Sequence, residues 1–429
     1  MRRPLAQGYY TDTPSPPTMS IEGQFLGGGD EVGRLGILLK CPGARVLFDY
    51  GMTATSPPSY PLPCPPVDVV YLTHSHLDHC GMIPWLTSRY DIDIVATPVT
   101  REVSLLLMED SIKVGAAEGY PEPYTSADVK VARRRFDEIM FGDTSSPGRV
   151  QVVTHSAGHI PGATMYELIC EKRTLVTGDL HTLDTRLVAG AKPVKCDNLI
   201  MESTYSGRNH PPRLKTEYAL LKKVEEVLQR GGMAIIPAFA VGRTQEILML
   251  LKDSRFDFWL DGMGKKVNNI YLNNLAFVRS GRRLRQAINR AKEVRSMHGR
   301  ARALKGDVIV TTSGMLDGGP VLSYLEAVRE DPKSAILLTG YQVDGSNGRK
   351  LLDTGYMEFK GVSEKVNCEV LKYDFSAHAG HAELLEFAKG CSPEKIVLMH
   401  GDEREILAGD LRAEGFEVLL PKNGQKFAL

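Results

Sequence analysis

The stretch THSHLDHCG, residues 73–81, constrains this chain more than any other. His74, His76, Asp78 and His79 fall within six positions, directly after the apolar run VDVVYL. Such a run reads as a buried strand ending at a turn. In extended backbone alternate side chains share a side, so His74 and His76 can reach one ion. Asp78 and His79, past the bend, can face a second. Imidazole and carboxylate donors at this density suit zinc or a similar divalent metal. The competing reading, polar residues in a solvated loop, does not account for three histidines and an aspartate immediately after a buried strand.

Composition sets the frame for that site. The 429 residues suffice for two or more cores. Hydrophobic residues at 42% and charged residues at 24% are the proportions of a soluble globular protein. No segment approaches the ~18 uninterrupted apolar residues of a membrane helix, so no membrane partner is expected. Residues 1–20, MRRPLAQGYYTDTPSPPTMS, lack the apolar core of a secretory signal and read as a flexible tail rich in Pro, Ser and Thr. Seven cysteines, at 41, 64, 80, 170, 196, 368 and 391, form no CxxC pair. An odd, unpatterned set favours reduced thiols and a cytoplasmic location, and argues against a thiolate zinc site.

Net charge is zero, but residues 279–305 hold ten Lys or Arg against the single acid Glu293. Arg282, Arg283 and Arg285 lead this segment. It is the kind of patch that holds a polyanion through its phosphates, with an ordinary solvated helix face as the alternative. Arg133, Arg134 and Arg135 read as solvated surface.

Further His and Asp residues recur at predicted strand ends. FLGGGDEVGRLGILLKCPGARVLFDYG gives strands over 21–27, 35–40 and 45–49. Asp49 closes the third and is placed to orient a ligand histidine. VVTHSAGHIPGATMYEL gives strand, Gly-rich turn and strand, with His159 in the turn as ligand and His155 as structural. Asp179 follows a strand at 174–177, where one carboxylate can bridge two metals. His400 follows a strand at 395–399, and YDFSAHAGH offers His378 and His381. Open-sheet enzymes assemble sites at the C-terminal ends of strands. Between Glu202 and His378, KTEYALLKKVEEVLQR reads as an amphipathic helix, GGMAIIPAFA as a buried strand, GRTQEILMLLKDS as a helix, and 308–312 and 335–339 as strands. That alternation predicts an α/β unit with a parallel sheet.

The ordered series FDYG, HSHLDH, SAGHIPGA, TGD, MESTY, DFSAH and VLMHGD resembles the metallo-β-lactamase superfamily in its β-CASP branch, over residues 21–405. PAFAVGRTQEIL, TTSGMLDGGP and LLTGYQVDGSNGRKLL are also similar to β-CASP signatures. The wording LTHSHLDHCGMIPWL and MESTYSGRNHPPR resembles archaeal homologues of the nuclease subunit of the cleavage and polyadenylation specificity factor. With its first strand near residue 21, the chain resembles their short form, which lacks KH domains. The resemblance implies an α/β fold, an αββα sandwich with an inserted β-CASP cap. The expected divisions are a tail over 1–20, the first part of the sandwich over 21–203, the cap over 204–364, and the C-terminal part of the sandwich over 365–429.

The resemblance further implies two zinc ions, with manganese able to activate. His74, His76 and His159 would hold one, Asp78, His79 and His400 the other, and Asp179 would bridge them. Glu202 would bond a ligand imidazole from outside the ligand shell. His378 would face the scissile phosphate as proton donor or charge stabiliser, with Ser376 helping to hold a phosphate. A two-metal site makes hydroxide at neutral pH for in-line attack. The implied activity is a ribonuclease, endonuclease or 5′-to-3′ exonuclease, leaving 5′-phosphate and 3′-hydroxyl ends on single-stranded RNA. A second copy of the chain is the other implied partner. Ser313 and Gly314 in TSGMLDGGP, Arg243, Arg349 and the arginines at 282, 283 and 285 are candidate phosphate contacts. Two alternatives remain: a metallohydrolase of small esters or thioesters, which shares HxHxDH but needs no cap, and a silent RNA-binding scaffold, which would have lost metal ligands.

Overall fold

A computed structural model describes residues 21–121 and 123–429; the expected tail over 1–20 lies outside the described residues. Two seven-stranded sheets stack face to face. In the first, Glu22–Gly27, Gly36–Cys41 and Ala44–Phe48 form an antiparallel meander. It continues in parallel through Val69–Tyr71, Asp93–Ala96 and Phe136–Glu138, while Lys426–Ala428 closes the other edge. In the second, Gln151–Ser156, Thr164–Ile169 and Arg173–Val176 run antiparallel, then Asn198–Glu202, Lys395–Met399 and Glu417–Leu419 add in parallel.

The alternation of apolar residues dictates this stacking. Phe25, Ile37, Val46, Phe48 and Tyr71 point inward from one sheet, and Val152, Tyr166, Val176, Ile200 and Val397 from the other, into one buried cluster. Its aromatic centre is tight. Phe48 lies 5.6 Å from Tyr71 and 5.7 Å from Tyr166, ring centre to ring centre. Truncating a residue such as Phe48 to Ala costs about 3–5 kcal/mol by the usual sum of transfer and cavity terms. Helices cover both outer faces. Pro98–Glu118 and Ser126–Arg134 cover the first sheet, and His381–Cys391 with Arg404–Ala413 cover the second. The layering is therefore αββα.

The chain leaves this sandwich after Glu202 and builds a third, six-stranded sheet. Ala234–Pro237, Phe258–Asp261, Lys292–Glu293, Val308–Thr311, Ala335–Leu338 and Glu369–Lys372 are all parallel. Helices Arg213–Gln229 and Arg243–Leu251 follow the expected segments. The return to the sandwich comes later than the expected boundary at 365. Strand Glu369–Lys372 pairs with Ala335–Leu338 in the cap sheet, because Val370 and Leu371 complete its apolar faces. His378 thus lies on the crossover between the two units. Among the described residues no helix is long and apolar enough to cross a membrane.

Candidate metal centre

Strand register assembles the site. Val176 pairs with Ile200, and Glu202 pairs with Met399, so these parallel strands end side by side. The residues that follow, Asp179 and His400, emerge beside Glu202 on one rim. On the facing sheet Phe48 pairs with Tyr71, which brings Asp49 beside the segment carrying His74. Asp78 and His79 belong to the single helical turn Leu77–Cys80.

Ring nitrogens face one another across the centre. His76 Nδ1 lies 3.1 Å from both His74 Nε2 and His159 Nε2. His74 Nε2 is 3.4 Å and His159 Nε2 3.6 Å from Asp179 Oδ2. On the other side His79 Nε2 is 3.2 Å from Asp179 Oδ1, and His400 Nε2 is 3.4 Å from Asp78 Oδ2. One donor atom from each of His74, His76, His159 and Asp179 falls within 4.8 Å of the others, as does one from each of Asp78, His79 and His400. His79 Nε2 and Asp179 Oδ1 are buried and neither makes a hydrogen bond. Buried polar atoms without partners are costly, and a shared cation would satisfy these converging nitrogens and carboxylate oxygens together. The donor set, all nitrogen and oxygen, fits a divalent metal cofactor.

The surroundings set the proton positions. His79 Nδ1 donates to Asp49 Oδ2 at 2.7 Å, and Thr73 holds the same carboxylate through its amide and hydroxyl, each at 2.7 Å. His159 Nδ1 donates to the Ala377 carbonyl at 2.7 Å, which leaves Nε2 free for the centre. Burial drives His74 and His159 well below the ordinary histidine range, so both stay neutral and ligand-competent. Burial would also raise Asp179, but the imidazoles around it, His79 foremost, override it and hold the carboxyl well below its ordinary value.

Glu202 differs from expectation. Its fully buried carboxylate does not bond a ligand imidazole. It receives His378 Nδ1 at 3.0 Å, and also the Leu180 amide and the Thr204 hydroxyl. Thr204 passes the contact on to His400 Nδ1 at 3.2 Å. The crossover from the cap sheet sets His378 directly on this carboxylate. Burial works against charging His378, but Glu202 and Asp179 outweigh it and lift the imidazole to about 9. His378 Nε2 points back to the centre, 3.7 Å from Asp179 Oδ2.

A cavity between sandwich and cap opens onto His76, His159 and His378, with Arg213, Arg243 and Ser376 in its walls. Arg243 is buried at the start of its helix and donates to the Thr339 carbonyl. Burial, with Arg213 alongside, pulls its guanidinium down to about 9. A cation so placed favours an anion in the cavity. Ser376 accepts the His378 amide at 3.1 Å and so shapes the turn that presents the imidazole. Sequence reasoning missed Arg213, Tyr205, Thr73 and Thr204. Tyr205 and Thr204 sit inside MESTY, and Thr73 opens THSHLDHCG, but their contacts arise only on folding.

The remaining phosphate candidates lie outside the cavity. Arg349 is half-exposed and paired with Asp353 at 2.7 Å. Gly314 packs behind Phe239, leaving a Cβ only 3.0 Å from the Phe239 amide nitrogen, and neither it nor Ser313 lines the cavity. The basic segment forms helices Gly281–Arg290 and Met297–Ala303, but acids absorb much of its charge. Arg283 pairs with Asp253, Lys292 with Asp257, Arg300 with Asp261 and Arg279 with Asp184. Arg282 and Arg285 are exposed on the first helix and do not line the cavity. His155 pairs with Glu167 across its hairpin at 2.9 Å, a structural role.

Known proteins share this organisation. The metallo-β-lactamase superfamily profile matches residues 36–208, the Beta-Casp domain residues 244–351, and the Zn-dependent metallo-hydrolase RNA specificity domain residues 363–421. The probable RNase MJ4 of Methanocaldococcus jannaschii is 38% identical over 94% of this chain and 99% of its own length. RNase aCSPSF2 of Saccharolobus solfataricus is 34% identical over 95% of this chain and 85% of its own. Transcription termination factor FttA of Methanocaldococcus jannaschii is 33% identical over 90% and 68%. A crystal structure of a protein of unknown function from Enterococcus faecalis V583 superposes with a TM-score of 0.62 at 15% identity, over 96% of this chain and 100% of that one, and shows the shared fold. With its two-sheet sandwich, inserted parallel cap and His/Asp centre, the chain belongs to the β-CASP branch of the metallo-β-lactamase superfamily, together with these archaeal proteins.

Proposed function

We propose that the protein is a metal-dependent ribonuclease that hydrolyses single-stranded RNA and leaves 5′-phosphate and 3′-hydroxyl ends. The observation that carries this reading is His378, held by Glu202 with one nitrogen aimed at the His/Asp centre, in a cavity that also presents Arg213 and Arg243. The RNase names of two relatives add the substrate class. In this reading His74, His76 and His159 would hold one zinc ion and Asp78, His79 and His400 a second, with Asp179 available to both. Bound divalent ions supply Lewis acidity and a water nucleophile at neutral pH.

The chain's own groups do the rest. His378, charged through Glu202, gives its Nε2 proton to the leaving 3′-oxygen as the phosphorus–oxygen bond breaks. Arg243 and Arg213 balance the charge of the phosphoryl oxygens. Asp49 and the Ala377 carbonyl keep His79 and His159 in the tautomers that leave Nε2 unprotonated. Ile160, Leu187, Val188 and Phe239 wall the cavity, exclude water and strengthen these charge interactions. The free thiols of Cys41, Cys64, Cys80, Cys170, Cys196, Cys368 and Cys391 fit a reducing, cytoplasmic setting.

The test uses one single-stranded RNA, either 5′-labelled as a monophosphate or 3′-labelled, with and without a chelator. Internal fragments that vanish with chelator mark an endonuclease. Labelled mononucleotide released from the 5′ end, with stepwise shortening of the 3′-labelled copy, marks a 5′-to-3′ exonuclease. Binding without cleavage in zinc or manganese overturns the proposal in favour of a scaffold.

A further inference from the structure

A second cavity, of about 330 Å³, lies beside the first and shares with it a wall made of Tyr205, Tyr341 and Ser376. Register explains its position. Leu338 pairs with Lys372 at the C-terminal end of the cap sheet, so the segments that continue from these two strands emerge side by side. One carries Tyr341, and the other runs through Tyr373 and Phe375 to Ser376. The facing wall is the segment after Glu202, with Tyr205, Arg208 and His210.

Aromatic rings and cations alternate here. Tyr341 is 49% exposed, and Lys372 Nζ lies 5.7 Å from its ring centre. The Arg208 guanidinium lies 5.6 Å from the Tyr205 ring centre. Tyr205 in turn stands 6.0 Å from the His378 ring. The carboxylate in the wall, Asp374, is occupied: it accepts His210 Nδ1 at 2.8 Å and the Ser376 amide at 3.0 Å. Glu369, on the same strand as Lys372, is engaged by Lys223 and Arg230. Lys372 and Arg208 have no ion-pair partner among the described residues, unlike much of the basic segment at 279–305.

An exposed aromatic alone is ordinary. An exposed aromatic with an uncompensated lysine beside it, in a cavity that holds a second uncompensated cation on Tyr205 and shares its tyrosine wall with the proposed phosphodiester site, has the composition that holds single-stranded nucleic acid. We propose that this second cavity is a base-stacking subsite for an RNA nucleotide adjacent to the scissile phosphate, with Tyr341 as the platform and Lys372 and Arg208 meeting the neighbouring phosphate. The proposal rests on the ribonuclease reading. Tyr205 abuts His378, which in that reading protonates the leaving oxygen, so the subsite takes the nucleotide on the 3′-hydroxyl product side of the cut. A base paired in a duplex cannot turn into the cavity, so the subsite also selects unpaired strands.

The test pairs Tyr341→Ala with an RNA that carries one abasic ribose at that nucleotide. On intact RNA, Tyr341→Ala is expected to raise KM about tenfold while kcat changes much less, and Tyr341→Phe to retain the wild-type KM. On the abasic RNA the wild type should show the same rise in KM, and Tyr341→Ala no further rise, because both changes remove one interaction. An unaltered KM in Tyr341→Ala, or losses that multiply independently, overturns the subsite while leaving the ribonuclease reading intact. The same four combinations, measured as affinity by fluorescence anisotropy, separate the two ideas. If the wild type cleaves no RNA, coupled losses of affinity still support the subsite, and uncoupled losses reject it.

Discussion

The Nδ1–H of His378 is shared between the two carboxylate oxygens of Glu202, at 3.0 and 3.1 Å, across 176 residues of sequence. This pair ties the cap-to-sandwich crossover to the end of a central strand. It also directs the other imidazole nitrogen at the centre, which makes the contact a positioning device with a chemical consequence.

Metal holding and proton donation are expected to separate by mutation. His378→Ala should keep metal content near wild type and lower kcat by about 10²–10⁴, the usual contribution of a general acid. Asp179→Ala should lose metal as well as activity, because Oδ2 faces His74 and Oδ1 faces His79. Metal analysis by plasma mass spectrometry alongside RNA cleavage reads both quantities. Full activity in either variant would remove that residue from the mechanism.

Glu202→Gln replaces an acceptor-only carboxylate with an amide and withdraws the charge that holds the His378 proton. Metal content should remain, and cleavage should fall at neutral pH by about 10²-fold or more. The effect should be smaller in the acid range, where solvent protonates the imidazole without help. A pH profile of kcat for wild type and variant measures the difference; parallel profiles would argue against the pairing.

In the metal-free protein the raised value of His378, about 9, links folding to pH. The folded state binds this proton more tightly than the unfolded chain. Its contribution is therefore complete below the unfolded value near 6.5 and is lost as pH rises through about 9. The upper bound is roughly 3 kcal/mol. The Tm difference between chelated wild type and chelated His378→Gln should be largest near pH 6 and shrink toward pH 9.5. A difference that is constant or grows with pH would contradict the linkage.

Asp49 acts through His79. Asp49→Ala strips the imidazole of its 2.7 Å partner and frees Thr73, so metal affinity should weaken about 10–100-fold. Titration against a competing chelator measures it. Asp49→Glu, which keeps the charge but crowds a fully buried position, should recover little of the loss. Unaltered affinity in Asp49→Ala would make the contact merely structural.

The sequence by itself carried the parts of this protein that are local or periodic. HSHLDH after an apolar run, His and Asp at successive strand ends, and the alternation of helix and strand between 204 and 364 are legible because side-chain period and turn chemistry act over a few residues. The ordered motif series placed the chain in its family for the same reason. Tertiary structure alone decided what register and crossover bring together. Glu202 was expected on a ligand imidazole and instead holds His378. The strand at 369–372 joins the cap by pairing with Ala335–Leu338, which partly covers Val370 and Leu371. The charge of the 279–305 segment looked like an open RNA track, yet Asp253, Asp257, Asp261 and Asp184 take up much of it from distant strands and loops. Arg208 and Lys372, in the second cavity and without an ion-pair partner among the described residues, both lie outside that strongly basic segment. Charge counted along a chain ignores the partners that folding supplies, and those partners decide which cations remain free to meet a phosphate.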